Sequence, residues 1–167
     1  FGIVYGLSAF GLSRQLKIFP KEAKKFIDQY FALYKKVKIY MDETVAEAEK
    51  LGYTQTMMNR KRYMPDLKSQ NRQVREAAGR VAINSPVQGS AADLIKLAMI
   101  RLAQQISKKK LKSRMILQVH DELVFECPQE EEQEMRALVK KEMEEVFPLK
   151  DPLVVDMGWG KNWNTAH

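Results

Sequence analysis

Asp121 and Glu122 stand side by side between two apolar, β-rich runs, 115–119 and 123–127, with His120 immediately before them. Consecutive strand residues point to opposite faces and neighbouring carboxylates repel, so an acid pair here needs either solvent or a counter-charge. A hard divalent cation meets the second need. Mg²⁺ takes one or two carboxylates together with waters and substrate phosphates, and a hairpin tip that projects Asp121 suits phosphoryl transfer. The other reading is a solvated turn, where Asp is common. His120 is open in the same way, between chemistry and a single structural hydrogen bond.

Arg80, Asn84 and Gln88 follow one another at intervals of four, so a helix would line them up as one polar stripe. Their planar donors suit base edges or phosphates, and the same pattern describes a hydrated helix face bonded to nearby backbone. Tyr5 lies between Gly2 and Gly6, where flexible backbone on both sides would let the ring stack on a base or serve as a core or capping residue. No catalytic triad is readable. Cys127 is near His120 in sequence but inside a strand, and no phosphate-binding glycine loop occurs.

The elements that must position these residues follow from periodicity. Glycines at 2, 6 and 11 keep any helix in the first dozen residues short. Ala23, Phe26, Ile27, Tyr30, Phe31 and Tyr34 recur at helical spacing after Pro20, a good first-turn residue. Val37, Tyr40, Met41, Val45 and Ala48 mark a second helix over 37–51 that stops at Gly52. The two predict a helical hairpin. Residues 53–58 read as a short strand, and 59–66 as a basic turn around Pro65. From about 72 to 107 the pattern is one long helix, bent where Pro86 removes a hydrogen bond. Runs 115–119 and 123–127 predict a β-hairpin with charge at its tip, 129–147 an amphipathic helix with Met135, Leu138, Val139, Met143 and Val146 inward, and 153–157 a last strand.

Composition narrows the class. Over 167 residues, 45% hydrophobic and 29% charged, the chain reads as globular, and no apolar run is long enough to span a bilayer. Cys127 is the single cysteine, which excludes an intrachain disulfide and a cysteine zinc cluster and fits a reducing, cytosolic setting. The chain opens on Phe1 without the features of a signal peptide, which predicts that it is cut from something longer. Net charge is +7, yet residues 129–147 contribute −4, from seven Glu against Arg136, Lys140 and Lys141, which leaves +11 elsewhere. Basic residues gather in 60–80 and 108–114, as a surface for a polyanion or as solvated faces.

Three blocks, FGIVYG at 1–6, RVAINSPVQGSAADLIKLAM at 80–99 and VHDELVFE at 119–126, together resemble family A DNA polymerases. Their order and separation match, and the ending GWGKNW at 158–163 is similar to the family's C-terminus. The resemblance implies an α+β fold, the C-terminal part of a right-hand polymerase domain. Residues 1–71 would be a partial fingers subdomain, and 72–167 a partial palm whose antiparallel sheet is backed by helices.

The implied activity is template-directed DNA synthesis in a bacterial cytosol or nucleoid, on primer-template DNA and dNTP. Asp121 would ligate two Mg²⁺ ions, for which Mn²⁺ would substitute, to activate the primer 3′-hydroxyl and stabilise the leaving pyrophosphate. Glu122 would be an accessory acid and His120 would help position the primer terminus. Phe1 would pack on the nucleotide sugar and Tyr5 would sit by the templating base. Arg80, Asn84 and Gln88 would contact the minor groove of the nascent pair, whose acceptors are shared by all correct pairs. The family's first metal-binding aspartate and the Arg and Lys that grip the triphosphate are absent from these 167 residues. The chain is therefore expected to need the upstream part of the same polymerase. The alternatives are a primer-template binding module or half of a split enzyme, and, more remotely, a nuclease using the carboxylate pair.

Overall fold

The computed structural model describes residues 2–166. Two compact units divide the chain, residues 1–90 and 91–167. Both mix helices with one two-stranded antiparallel sheet, so the α+β expectation is met.

In the first unit, residues 2–6 form turns and helix α1 (Ala9–Leu16) follows, short as expected. Ser8 caps it by accepting a hydrogen bond from the Gly11 N–H at 3.1 Å. Helix α2 (Pro20–Leu33) starts on Pro20, and α3 (Lys35–Leu51) stops at Gly52, whose φ of 79° is left-handed and free of strain only for glycine. α2 and α3 contact each other as the helical hairpin required. Strand β1 (Tyr53–Gln55) then pairs with β2 (Lys61–Tyr63), Tyr53 opposite Tyr63 and Thr54 opposite Arg62. The stretch read as a basic turn thus contains a strand. Asn59 at φ 62° makes the reversal, and the two tyrosine rings meet edge-on at 6.1 Å, a pairing that the charged residues between them concealed.

Past a 3₁₀ turn at Pro65–Lys68, helix α4 (Arg72–Lys109) runs through Pro86 without a break in assignment. The core of the first unit is made by Ala48 of α3, Met64 and Leu67 of the turn, and Ala78 and Ala82 of α4. Three alanines among five core residues let the helices and the turn approach closely.

In the second unit, β3 (Arg114–Val119) pairs with β4 (Glu122–Glu126), with a bulge between Met115 and Leu117. Helix α5 (Glu132–Glu144), entered through a 3₁₀ turn at Gln129–Glu131, lays Met135, Leu138 and Val139 against Leu102 of α4, and Met115, Leu123 and Phe125 of the hairpin join them. Met143 is partly buried, as the helical spacing required, and Val146 is buried although the helix expected over 129–147 ends at Glu144, before it.

Residues 153–157 form no strand, against expectation. Their apolar pattern suits extended chain, but a strand needs a backbone partner. Here the Val155 N–H donates to the Glu144 carboxylate at 3.0 Å instead. Arg136 of α5 donates to the Met157 carbonyl at 3.4 Å and lies over the Trp159 ring. The short turn α6 (Trp163–Ala166) folds back so closely that a Cβ on Gly158 would stand 1.5 Å from the Ala166 carbonyl oxygen.

Candidate catalytic hairpin and nucleic-acid interface

The Val119–Glu122 pair closes β3 and β4 over a two-residue turn, His120 and Asp121. Such tight turns match the strand twist when the first central residue takes a positive φ, and His120 does so at 53°. Histidine tolerates this region better than most side chains, yet glycine fills it without strain. A strained residue kept at a tip is a reason to look there for function. The Gln118 amide donates to the His120 carbonyl at 3.1 Å and steadies the turn. His120, Asp121 and Glu122 are all exposed.

The other end of the hairpin is tied down. Glu131 accepts the Lys112 N–H at 2.8 Å, the Ser113 N–H at 2.9 Å and the Ser113 hydroxyl at 2.6 Å. The hydroxyl bond first, and the Lys112 N–H next, hold its carboxyl below the usual glutamate range. The Ser113 hydroxyl also reaches the Cys127 sulfur at 3.1 Å, so the thiol is part of this anchor. Apolar packing below and a charged anchor at the base leave the carboxylate tip as the projecting part.

The donor set at the tip suits a hard divalent cation, since carboxylate oxygens are the ligands Mg²⁺ prefers. Among the described residues no three His, Cys, Asp or Glu side chains converge to hold a metal.

The stripe on α4 is present as spaced. Arg80 and Gln88 are exposed, while Asn84 is half-buried and its Oδ1 is buried with no hydrogen-bond partner. A buried, unmatched acceptor on a helix face is costly unless something meets it. The 2–6 turn comes against the first member of the stripe, because a Cβ on Gly6 would stand 3.0 Å from Arg80 Cγ. Tyr5 is exposed on that turn, so Tyr5 and Arg80 belong to one neighbourhood. Phe1 lies outside the described residues.

The two basic clusters part company. Lys109, Lys112 and Arg114 pair with Glu134 at 2.6 Å, Glu130 at 3.8 Å and Glu126 at 2.6 Å. Exposed pairs add little stability, but they cancel much of the charge that 108–114 offered to a polyanion. In the other cluster Arg72 pairs with Glu76 at 2.7 Å, while Arg62 and Arg75 donate to neutral oxygens, Ser85 Oγ at 3.2 Å and the Ser69 carbonyl at 2.8 Å. Sequence reasoning missed the β1–β2 hairpin as a neighbour of the stripe. The available signal was Gly89-Ser90 directly after Gln88, two small residues where a helix accepts a close partner.

The chain belongs to DNA polymerase family A, whose family model it matches over residues 1–165. It is 54% identical over 163 residues to DNA polymerase I of Caldicellulosiruptor bescii, which covers 98% of this chain and 19% of the relative. DNA polymerase I of Mycobacterium leprae is 50% identical over 166 residues, covering 99% and 18%. The chain thus spans about a fifth of the length of these curated relatives. A solved structure of the polymerase domain of Pol1 from M. smegmatis, in complex with DNA primer-template and dNTP, superposes with a TM-score of 0.96 at 51% identity, covering 99% of this chain and 29% of that one. The right-hand polymerase fold read from the three sequence blocks is the fold to which this chain belongs.

Proposed function

We propose that this chain is the C-terminal fingers and palm portion of a polymerase that transfers nucleotidyl groups from dNTP to a primer 3′-hydroxyl under template direction, in the bacterial cytosol. The fingers part would end near residue 71, where α4 begins. The observation that carries the reading is the acid pair at the tip of the hairpin, Asp121 on a strained two-residue turn and Glu122 at the start of β4, within a chain that matches family A along nearly all its length.

Asp121 is the residue that would hold Mg²⁺, with Glu122 beside it. When bound, the metal supplies positive charge to the triphosphate and lowers the pKa of the attacking hydroxyl. His120 steadies the primer end, and Phe1 and Tyr5 border the incoming nucleotide and the templating base. Arg80, Asn84 and Gln88 meet the minor-groove acceptors common to all correct pairs, so they check geometry without reading sequence. The exposed Arg80 and Gln88 support this, because their N–H groups are donors that such acceptors can meet. Among the described residues no helix is long and apolar enough to cross a membrane.

The tip's incomplete donor set leads to a second element of the proposal. The 167-residue chain alone binds primer-template without extending it, and the missing carboxylate comes from the upstream part of the same polymerase. Primer extension tests both elements. A longer polymerase containing this segment extends a primer with dNTP and Mg²⁺, its Asp121→Ala variant does not, and the isolated chain shows no template-dependent incorporation. Incorporation by the isolated chain, or full activity in the variant, would sink the corresponding element.

A further inference from the structure

Pro86 has no N–H, so α4 lacks one rung of its hydrogen-bond ladder just before Gln88. Helices bend or flex where a rung is missing, and a residue that checks geometry cannot sit on a soft turn. The β1–β2 hairpin is fastened across this turn. The Ser90 hydroxyl accepts the Met57 N–H at 2.9 Å and donates to the Pro86 carbonyl at 2.5 Å. The Ser85 hydroxyl accepts from the Arg62 guanidinium at 3.2 Å and donates to the Val81 carbonyl at 2.6 Å. The Arg60 guanidinium donates to the Gly89 carbonyl at 3.1 Å. A Cβ on Gly89 would stand 2.7 Å from Thr56 Cγ2, so only glycine lets the hairpin come this close. Gln88 sits at the edge of the seam, lining with Thr56, Arg60 and Ser85 a small polar cavity of about 90 Å³.

Ser90 is 5% exposed. Its hydroxyl joins the hairpin backbone at Met57 to the Pro86 carbonyl, on the turn directly after the missing rung between Pro86 and Ala82.

We propose that the β1–β2 hairpin is a clasp that positions Gln88, with Ser90 as its central positioning residue, and that it thereby sets how strongly the polymerase favours a correctly paired primer end. The proposal rests on the reading of the α4 stripe as a minor-groove contact. Gln88 makes its contact only with a correct pair, so loosening the clasp lowers extension from matched ends and leaves mispaired ends, which lack that contact, as they were. A purely structural loss would lower both alike.

The test uses the complete polymerase and compares kcat/KM for matched and mispaired primer ends. Ser90→Ala is expected to lower the matched value about fivefold, the worth of one ordinary hydrogen bond, with the mispaired value unchanged. Ser90→Thr keeps the hydroxyl and restores the ratio. Gln88→Ala lowers the matched value at least as much, and adding Ser90→Ala to it brings no further loss, because the clasp acts through Gln88. If Gln88→Ala leaves the ratio unchanged, the reading of the stripe fails. If Gln88→Ala lowers the ratio and Ser90→Ala does not, or lowers both ends equally, the clasp is overturned and the stripe stands. Should Ser90→Ala fail to fold, the exposed Arg62→Ala decides on the same ratio, with a fall of about twofold expected and no fall overturning the clasp.

Discussion

The polar stripe on α4 and the carboxylates on the β3–β4 turn are built on opposite plans. Asn84 and Gln88 sit on a helix whose Ser85, Gly89 and Ser90 are fastened to the backbone and arginines of a neighbouring hairpin. His120 and Asp121 form a two-residue turn, with Glu122 opening β4 beside it, the Gln118 amide steadying the loop backbone and one residue in the left-handed region. Groups that judge shape must be fixed beforehand, since any give blurs the comparison between right and wrong pairs. Groups that share a metal with substrate phosphates must be reachable from several sides, and their final positions are set by what they bind. Rigidity belongs to the first and access to the second.

Several substitutions in the complete polymerase would break or sharpen this contrast. Asp121→Ala should have the largest effect, a fall of about 10³-fold in kcat, the scale for removing a group that stabilises transition-state charge; single-turnover primer extension measures it, and a fall under tenfold would remove the tip from the chemistry. Glu122→Ala should lower kcat by about 10–100-fold, as for groups that support a metal ligand. Arg80→Ala should instead weaken primer-template binding about tenfold with kcat nearly kept, which fluorescence anisotropy would register. If it lowered kcat alone, the stripe and the tip would no longer differ in kind.

Two smaller effects concern stability. His120→Gly relieves the left-handed backbone, so the hairpin should gain about 0.5–1 kcal/mol while primer extension falls. Hydrogen exchange of the β3 and β4 amides reports the gain. The base of the hairpin should be acid-sensitive. Its Glu131 carboxyl titrates below the ordinary value in the folded chain, so its stabilisation is complete above about pH 4.3, the ordinary glutamate value, and is lost as pH falls through the lower folded value. Protection of the Lys112 and Ser113 amides should follow that course, and Glu131→Gln should flatten it.

Most helices and the β3–β4 hairpin were legible because a local rule decided each one. Pro20 and Gly52 bound their helices by backbone preference, and Met135, Leu138 and Val139 recur as one buried face. What stayed hidden depended on partners distant in sequence. β2 exists because Tyr63 meets Tyr53 and Arg62 reaches Ser85, and neither contact leaves a pattern in Lys61-Arg62-Tyr63. Residues 153–157 have strand-like composition and no strand to pair with. At the site, spacing picked out Asp121 and the stripe but left solvated alternatives standing for both. The left-handed turn and the buried Asn84 acceptor are three-dimensional facts that spacing does not carry.

The bulge in β3 bears on aim rather than chemistry. It places an extra residue, Ile116, between the Met115–Phe125 and Leu117–Val124 pairs, and a bulge bends its strand and adds local twist. Deleting Ile116 would keep Gln118 opposite Leu123 and Val119 opposite Glu122, with the same turn and the same acids. Only the curvature of the ribbon would change, so this one residue steers where the carboxylates point.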